Sequence, residues 1–265
     1  MRKVKRTLKR WGLRRDRLAA ARMCCERNLL ASFAPVRQLK RARILCYHSV
    51  GTSAWGINDV SPQRFRRHIE LALEIGYRFV PAERIASAGG AAGELAITFD
   101  DGLKTVVTNA APILAEHGIP WTFFVVSDWA DGRHGFGDDL MVSWDDVVSA
   151  AQAGASIGSH SVTHPNFGRL DAEVTARELF DSREVIEART GIVPTSFAIP
   201  FGQSNNWSPS ATSLAQQAGY HTIYSQCEEH RPTGTVPRTF VTTFDNDRIF
   251  RAVLAGGFDQ WEEWV

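Results

Sequence analysis

No window of this 265-residue chain reaches the roughly 18 to 20 consecutive apolar residues that a bilayer-spanning helix requires, so a helical membrane span is excluded. Cysteine is scarce. Cys24, Cys25, Cys46 and Cys227 show no CxxC spacing, and the adjacent pair is poorly placed to bridge, which argues against a disulfide scaffold. The opening, MRKVKRTLKRWGLRRDRL, lacks the apolar core of a secretory signal. These absences together predict a cytoplasmic protein with reduced thiols. No low-complexity insert divides the chain either, and 44% hydrophobic content supplies a sizeable core, so one large α/β domain is the expected body.

The net charge of +1 hides an asymmetry. Residues 1–43 hold fifteen Lys or Arg against Asp16 and Glu26, a net of +13, and the remainder carries −12. The chain therefore reads as a basic N-terminal arm, residues 1–43, attached to a mildly acidic body, residues 44–265. Such an arm suits an anionic membrane surface, nucleic acid or an acidic partner. On a helical wheel Val4, Leu8, Trp11 and Leu18 share one side with Arg15 and Arg22, an imperfect amphipathic pattern. A solvated, partly disordered tail is the plain alternative. The arm lacks interleaved aromatics and any recognition module, so no specific nucleic acid is expected.

Beyond residue 43, apolar runs alternate with helical segments. RILCYHSV, YRFV, ELAITF, WTFFVV, ASIGSH, TSFAIPF, HTIY and VPRTFV read as strands. Ser61–Gly76, Lys104–His117, Ser143–Ala153, Asp171–Thr190 and Ser208–Ala218 read as helices, several closed by Gly. Strand followed by helix, repeated about seven times, predicts a parallel sheet wound with helices, open or closed as a barrel. Functional groups then gather at the carboxyl ends of the strands.

Three strand ends carry polar groups that packing does not explain: Asp100 and Asp101 after LAITF, His160 and His164 in SHSVTHP, and IPFG, residues 199–202. Imidazoles four apart meet on one face of a helical turn, where both can address one metal ion. An Asp from another strand end makes three protein ligands and leaves a position open, the pattern of a catalytic zinc centre. Alone, HxxxH arises often by chance, and Asp-Gly is a common turn signal.

TFDDG, HSVTH and IPFG, in that order, with CYHSV before them and WTFFVV between, resemble the polysaccharide deacetylase family, the NodB homology domain or carbohydrate esterase family 4. The resemblance covers roughly Ile44 to Phe240. It implies an α/β fold, a distorted (β/α) barrel of about seven strands, and metal-dependent hydrolysis of an N-acetyl group on an amino sugar in a glycan or glycoconjugate precursor. Residue by residue, it assigns Asp101, His160 and His164 to the metal and Asp100 to the general base, with Pro200, Phe201 and Gly202 at the substrate carbonyl and a backbone N–H of IPFG aiding the oxyanion. Zinc is the default ion, with cobalt or nickel also compatible with such ligands. Ser161 and Thr163 are expected to orient the histidine loop.

The chain also departs from the family. Many members carry an Arg at the third motif that pairs with the catalytic Asp; here Ala198 stands in its place. The late Leu-x-x-His that supplies a general acid is missing, and no His follows His230. His48 in CYHSV is the leading replacement, read equally well as a histidine packed in the barrel mouth, and His230 is the weaker one. Another amide substrate, such as a formyl group or a cyclic amide, and a binding-only barrel are the rival readings. Without an export signal, an N-acetylated precursor met at the inner face of the membrane suits the basic arm.

Overall fold

The computed structural model describes residues 15–33, 41–137, 139–226 and 231–262. Seven parallel strands close into a barrel: β1 (Arg43–Tyr47), β2 (Glu94–Phe99), β3 (Trp121–Val125), β4 (Ala155–Ser159), β5 (Ser196–Ala198), β6 (Thr222–Gln226) and β7 (Val236–Phe240), with β1 paired to both β2 and β7. The eighth apolar run, YRFV, forms only a two-residue strand, Arg78–Phe79, against the start of β2 and outside the ring. The barrel is uneven. β1 and β2 pair along five positions, whereas β4 meets β5 only at Ser159 and Phe197, and β7 meets β1 only at Leu45–Thr239 and Cys46–Phe240.

Strand alternation explains what points where. Leu45, Tyr47, Leu95, Ile97, Phe99, Phe123 and Val125 pack outward into one cluster with the surrounding helices. The alternate positions Ile44, Ala96, Phe124, Ala198 and Tyr224 form a separate inner cluster. Gly158 sits opposite Phe124, where a Cβ would come within 2.4 Å of the ring, so only Gly fits.

Among the described residues, eight α-helices lie around the barrel in chain order: α2 (Pro62–Ile75), α3 (Ala82–Ala88), α4 (Ala111–Glu116), α5 (Ser127–Ala130), α6 (Trp144–Gln152), α7 (Ala172–Thr190), α8 (Pro209–Gln217) and α9 (Asp247–Leu254). Their ends carry the local signals the sequence advertises. Ser61 caps α2 with Pro62 just inside and Gly76 closing it at φ 101°. Ser143 and Asp146 form a capping box on α6. Lys104–His117 is less regular than its spacing predicts: Pro112 supplies no N–H, and Val106–Ala110 widens into a π turn in which Ala111 N–H reaches Val106 O.

N-terminal to these, α1 (Arg15–Phe33) lies within the basic segment and packs on α9. Arg27 is fully buried and bonds both carboxylate oxygens of Asp245 as well as the Phe240 carbonyl. Its guanidinium lies over the rings of Phe258 and Trp261, at 4.4 and 5.1 Å. Residues 1–14 and 34–40 of the segment lie outside the described residues. Among the described residues no helix is long and apolar enough to cross a membrane.

His68 on α2 is buried, stacked on Phe250 at 3.9 Å, and its ring nitrogens meet Tyr47 Oη at 3.1 Å and Asp245 O at 2.7 Å. Burial pulls its pKa down to about 4, against the opposing pull of the Asp245 carbonyl. A depressed folded-state pKa means stability present above the ordinary value of 6.5 and lost as pH falls toward 4, about 3 kcal/mol over that window. Chemical denaturation of wild type and His68→Gln across that range is expected to show this acid-side loss in the wild type only. Equal pH slopes would contradict a neutral buried His68.

Candidate active site

The strand ends place the candidate residues together at the carboxyl end of the barrel. Thr98 and Asp100 follow the inward positions of β2, and His160 follows Gly158 on β4. Arg238 is inward on β7, and His48 lies two residues beyond inward-facing Cys46. Asp100, Asp101, His160, Arg238 and Cys46 are all buried, and together with His48, His164, Phe201 and Gly202 they line a cavity of about 730 Å³.

Asp101, His160 and His164 converge. Asp101 Oδ1 lies 3.5 Å from His160 Nε2 and 3.4 Å from His164 Nε2, and one donor atom of each residue falls within 4.8 Å of the others. Zinc–nitrogen bonds of about 2.0–2.1 Å in a tetrahedron place neighbouring donors about 3.3–3.4 Å apart, so these spacings fit such an ion. The hydrogen bonding agrees. Asp101 Oδ1 is buried without a donor, while Oδ2 is taken by Trp55 Nε1–H at 2.8 Å. His160 Nδ1 is taken by the Ala198 carbonyl at 2.8 Å, which leaves Nε2 as the free lone pair. Burial pushes the Asp101 carboxyl up, but the imidazoles of His160 and His164 outweigh it and hold it well below the usual range.

The histidine pair does not meet on a helical turn, as its spacing led us to expect. Residues 160–166 are irregular, and Ser161 and His164 have φ of 74° and 60°. Two left-handed residues turn the loop so that both imidazoles face Asp101. Ser161 Oγ accepts His164 N–H at 2.9 Å, and Glu178 on α7 accepts both the Val162 and Thr163 N–H groups and the Thr163 hydroxyl. Ser161 and Thr163 thus orient the loop, and Glu178 is an anchor that sequence reasoning missed. Among the described residues, the only non-glycine residues at positive φ are Asp101, Ser161, His164 and Phe201, all at this site. Such backbone costs of order 1–3 kcal/mol each, and its concentration here marks a site that the surrounding fold holds in place.

Asp100 faces Arg238, whose guanidinium forms a two-pronged bond to both carboxylate oxygens at 2.6 and 2.7 Å. Arg238 also reaches Thr98 Oγ1 at 3.2 Å and lies over the rings of Phe124 and Tyr224. Burial raises Asp100, and Arg238 outweighs it, so the carboxyl is held below its ordinary range. The pairing absent at Ala198 is therefore supplied from β7, two strands along the ring from β5, by a residue outside the three motifs. Its signal was an Arg at an inward position of VPRTF.

Cys46 Sγ lies 3.4 Å from Asp100 Oδ2, with its thiol pushed well up by burial. His48 meets Phe240 edge-on at 5.3 Å, and its Nδ1 is buried without a partner. Burial lowers its pKa against the pull of Asp101 and Asp100. His230 lies outside the described residues. In the third motif, Gly202 at φ 78° approaches Gln226 so closely that a Cβ would sit 3.0 Å from that side chain. Phe201 is half exposed at the cavity edge, its ring 4.7 Å from that of His164. Trp129 stacks on His164 at 5.2 Å, and Trp55 packs edge-on against Trp129 and Phe136, which gives the cavity an aromatic wall.

Trp55 ties that wall to Asp101. Trp55→Phe keeps the ring packing and removes the donor to Oδ2, and metal affinity is expected to fall about 10- to 100-fold in competition with a chelating dye. Unchanged affinity would show that Asp101 needs no such support.

A parallel barrel with a histidine–aspartate cluster and an arginine-held second aspartate at its mouth defines a hydrolase-like centre suited to a divalent ion. Residues 89–223, just over half of the chain, match the model of the polysaccharide deacetylase family, and the chain belongs to that family. It is 26% identical over 182 residues to the putative polysaccharide deacetylase YxkH of Bacillus subtilis, covering 67% of this chain and 61% of that protein. It is 28% identical over 138 residues to a chitooligosaccharide deacetylase of Rhizobium leguminosarum bv. trifolii, covering 52% and 58%. The chain thus spans about three fifths of the length of these curated relatives. Among solved structures, the Streptococcus pyogenes deacetylase PplD in complex with acetate superposes with a TM-score of 0.68 at 19% identity, over 81% of this chain and 98% of that one. IcaB from Ammonifex degensii gives 0.65 at 21% identity, over 82% and 97%. At these identities the likeness establishes the fold.

Proposed function

We propose that this protein is a metal-dependent N-deacetylase acting on an amino sugar within a glycan or glycoconjugate precursor. The observation that carries the reading is the pair of adjacent aspartates with divided partners: Asp101 Oδ1 turned to His160 and His164, and Asp100 turned to Arg238. Asp101, His160 and His164 would hold the ion, zinc by default, with cobalt or nickel as alternatives. When bound, it supplies polarisation of the amide carbonyl and acidification of water.

The chain's own residues supply the rest. Asp100, kept ionised by Arg238, takes the proton from the attacking water. His48, in the lining of the same cavity, would return a proton to the departing amine nitrogen. The Phe201–Gly202 backbone, at positive φ on the cavity edge with Pro200 just before it, would lie beside the substrate carbonyl, and Trp55, Trp129 and Phe201 offer ring faces to a sugar. Chitooligosaccharide deacetylase, the name of one relative, supports an N-acetylated saccharide as substrate class. A cytoplasmic location at the inner face of the membrane belongs to the same proposal and rests on the basic segment.

The test is acetate release from N-acetylated oligosaccharides, nucleotide sugars and lipid-linked sugars by zinc-loaded protein, with chelated protein as control. Release that chelation abolishes and metal restores is the expected result. Metal-loaded protein that releases no acetate from any of them would refute deacetylation and favour another amide or a binding-only barrel.

A further inference from the structure

Helix α1 carries apolar side chains on both its buried and its outward sides. Its buried side holds Met23 and the fully enclosed Arg27, with Leu30 and Ala31 partly buried against the core, while Leu18, Leu29 and Phe33 are 42%, 60% and 81% exposed. Leu18, Arg22, Cys25, Leu29 and Phe33 recur at intervals of three and four and are all exposed, so they form one outward stripe. Arg22 is the only charged member, and it pairs with Glu26. This arrangement leaves an apolar stripe facing away from the barrel.

Two further observations say what suits that stripe. Nine Lys or Arg occur within residues 1–17 against the single Asp16, so strong positive charge immediately precedes it in the chain. Ala19 and Ala20 of the same helix line the 730 Å³ cavity that holds Asp100 and Asp101. The helix is locked to the barrel through the Arg27–Asp245 pair and the Phe258 and Trp261 rings. Whatever the stripe docks on is therefore held at a fixed position relative to the cavity.

We propose that the Leu18–Phe33 stripe is a docking face for an anionic bilayer surface, so that the catalytic cavity opens beside the headgroup layer. Basic residues meet anionic headgroups, and the leucines and Phe33 enter the acyl boundary just below them. Nucleic acid answers the charge but offers no apolar phase to Leu29 and Phe33. This inference concerns where the protein sits, and its test does not depend on deacetylation.

The experiment is flotation of the full chain with vesicles of phosphatidylcholine containing phosphatidylglycerol, at physiological salt. Leu29→Ser/Phe33→Ser is compared with wild type, and Leu18→Ser serves as a second, milder variant. Because the altered side chains face outward, thermal unfolding should be unchanged. The expected result is vesicle binding by wild type that falls roughly tenfold or more in the double variant and is comparably weak on pure phosphatidylcholine. Binding that is equal in wild type and both variants would overturn the docking face. So would tighter binding to duplex DNA than to the anionic vesicles at the same salt.

Discussion

Asp100→Asn is expected to lower kcat for acetate release by about 10²- to 10⁴-fold, the contribution usual for a positioned general base, while bound metal stays equal to wild type. Asn keeps the shape and one hydrogen bond to Arg238 but cannot take a proton. Asp101, His160 and His164 do not depend on it, since Trp55 holds Asp101 Oδ2 and the Ala198 carbonyl holds His160 Nδ1. The measurement is steady-state acetate release beside elemental analysis of the same samples. A drop of less than tenfold with full metal content would remove Asp100 from the base role. A drop accompanied by lost metal would place it instead in support of the ion.

Arg238→Met is expected to have the largest effect on stability, about 3–5 kcal/mol, because it leaves Asp100 buried without its counter-ion. Arg238 and Asp100 are only 4% and 3% exposed, so solvent cannot replace the lost partner. Activity should fall with it, since burial then favours the neutral carboxyl, which accepts no proton. Removing both charges in Arg238→Met/Asp100→Asn should restore part of the stability lost in the single variant, as no unpaired ion remains. Denaturant unfolding of the three proteins checks this. If the double variant is as unstable as the simple sum of the two changes, the two groups are not coupled and Arg238 acts by packing against Phe124 and Tyr224 alone.

Much of the architecture was legible because local rules and tertiary outcome agree. Ser61, Pro62 and Gly76 delimit α2, as sequence rules for helix ends require. The apolar runs became barrel strands because buried parallel strands are apolar on both faces. YRFV was misleading for the same reason: apolar residues suffice to nominate a strand, but only pairing partners admit it to the ring, and Arg78–Phe79 meets β2 alone. The π turn at Val106–Ala110 lies just before Pro112, and a missing N–H cannot be weighed against an otherwise good helical pattern without knowing what the turn packs on.

At the site, the sequence by itself determined which residue types are present and which lie at strand ends: Asp100 and Asp101 after β2, His160 and His164 after β4, and the IPFG turn after β5. It also determined, through motif order, the family. Tertiary structure alone decided which of them share partners. Arg238 stands 138 residues from Asp100, and nothing local links them; they meet because β2 and β7 both flank β1 in a closed ring and both side chains occupy inward positions. Trp55 and Glu178 joined the site in the same way, through loop and helix packing rather than spacing. The outward stripe of α1 is likewise a tertiary fact. Hydropathy cannot predict that Arg27 turns inward, because only the folded protein offers it Asp245, the Phe240 carbonyl and two aromatic rings, partners strong enough to hold a charge out of water.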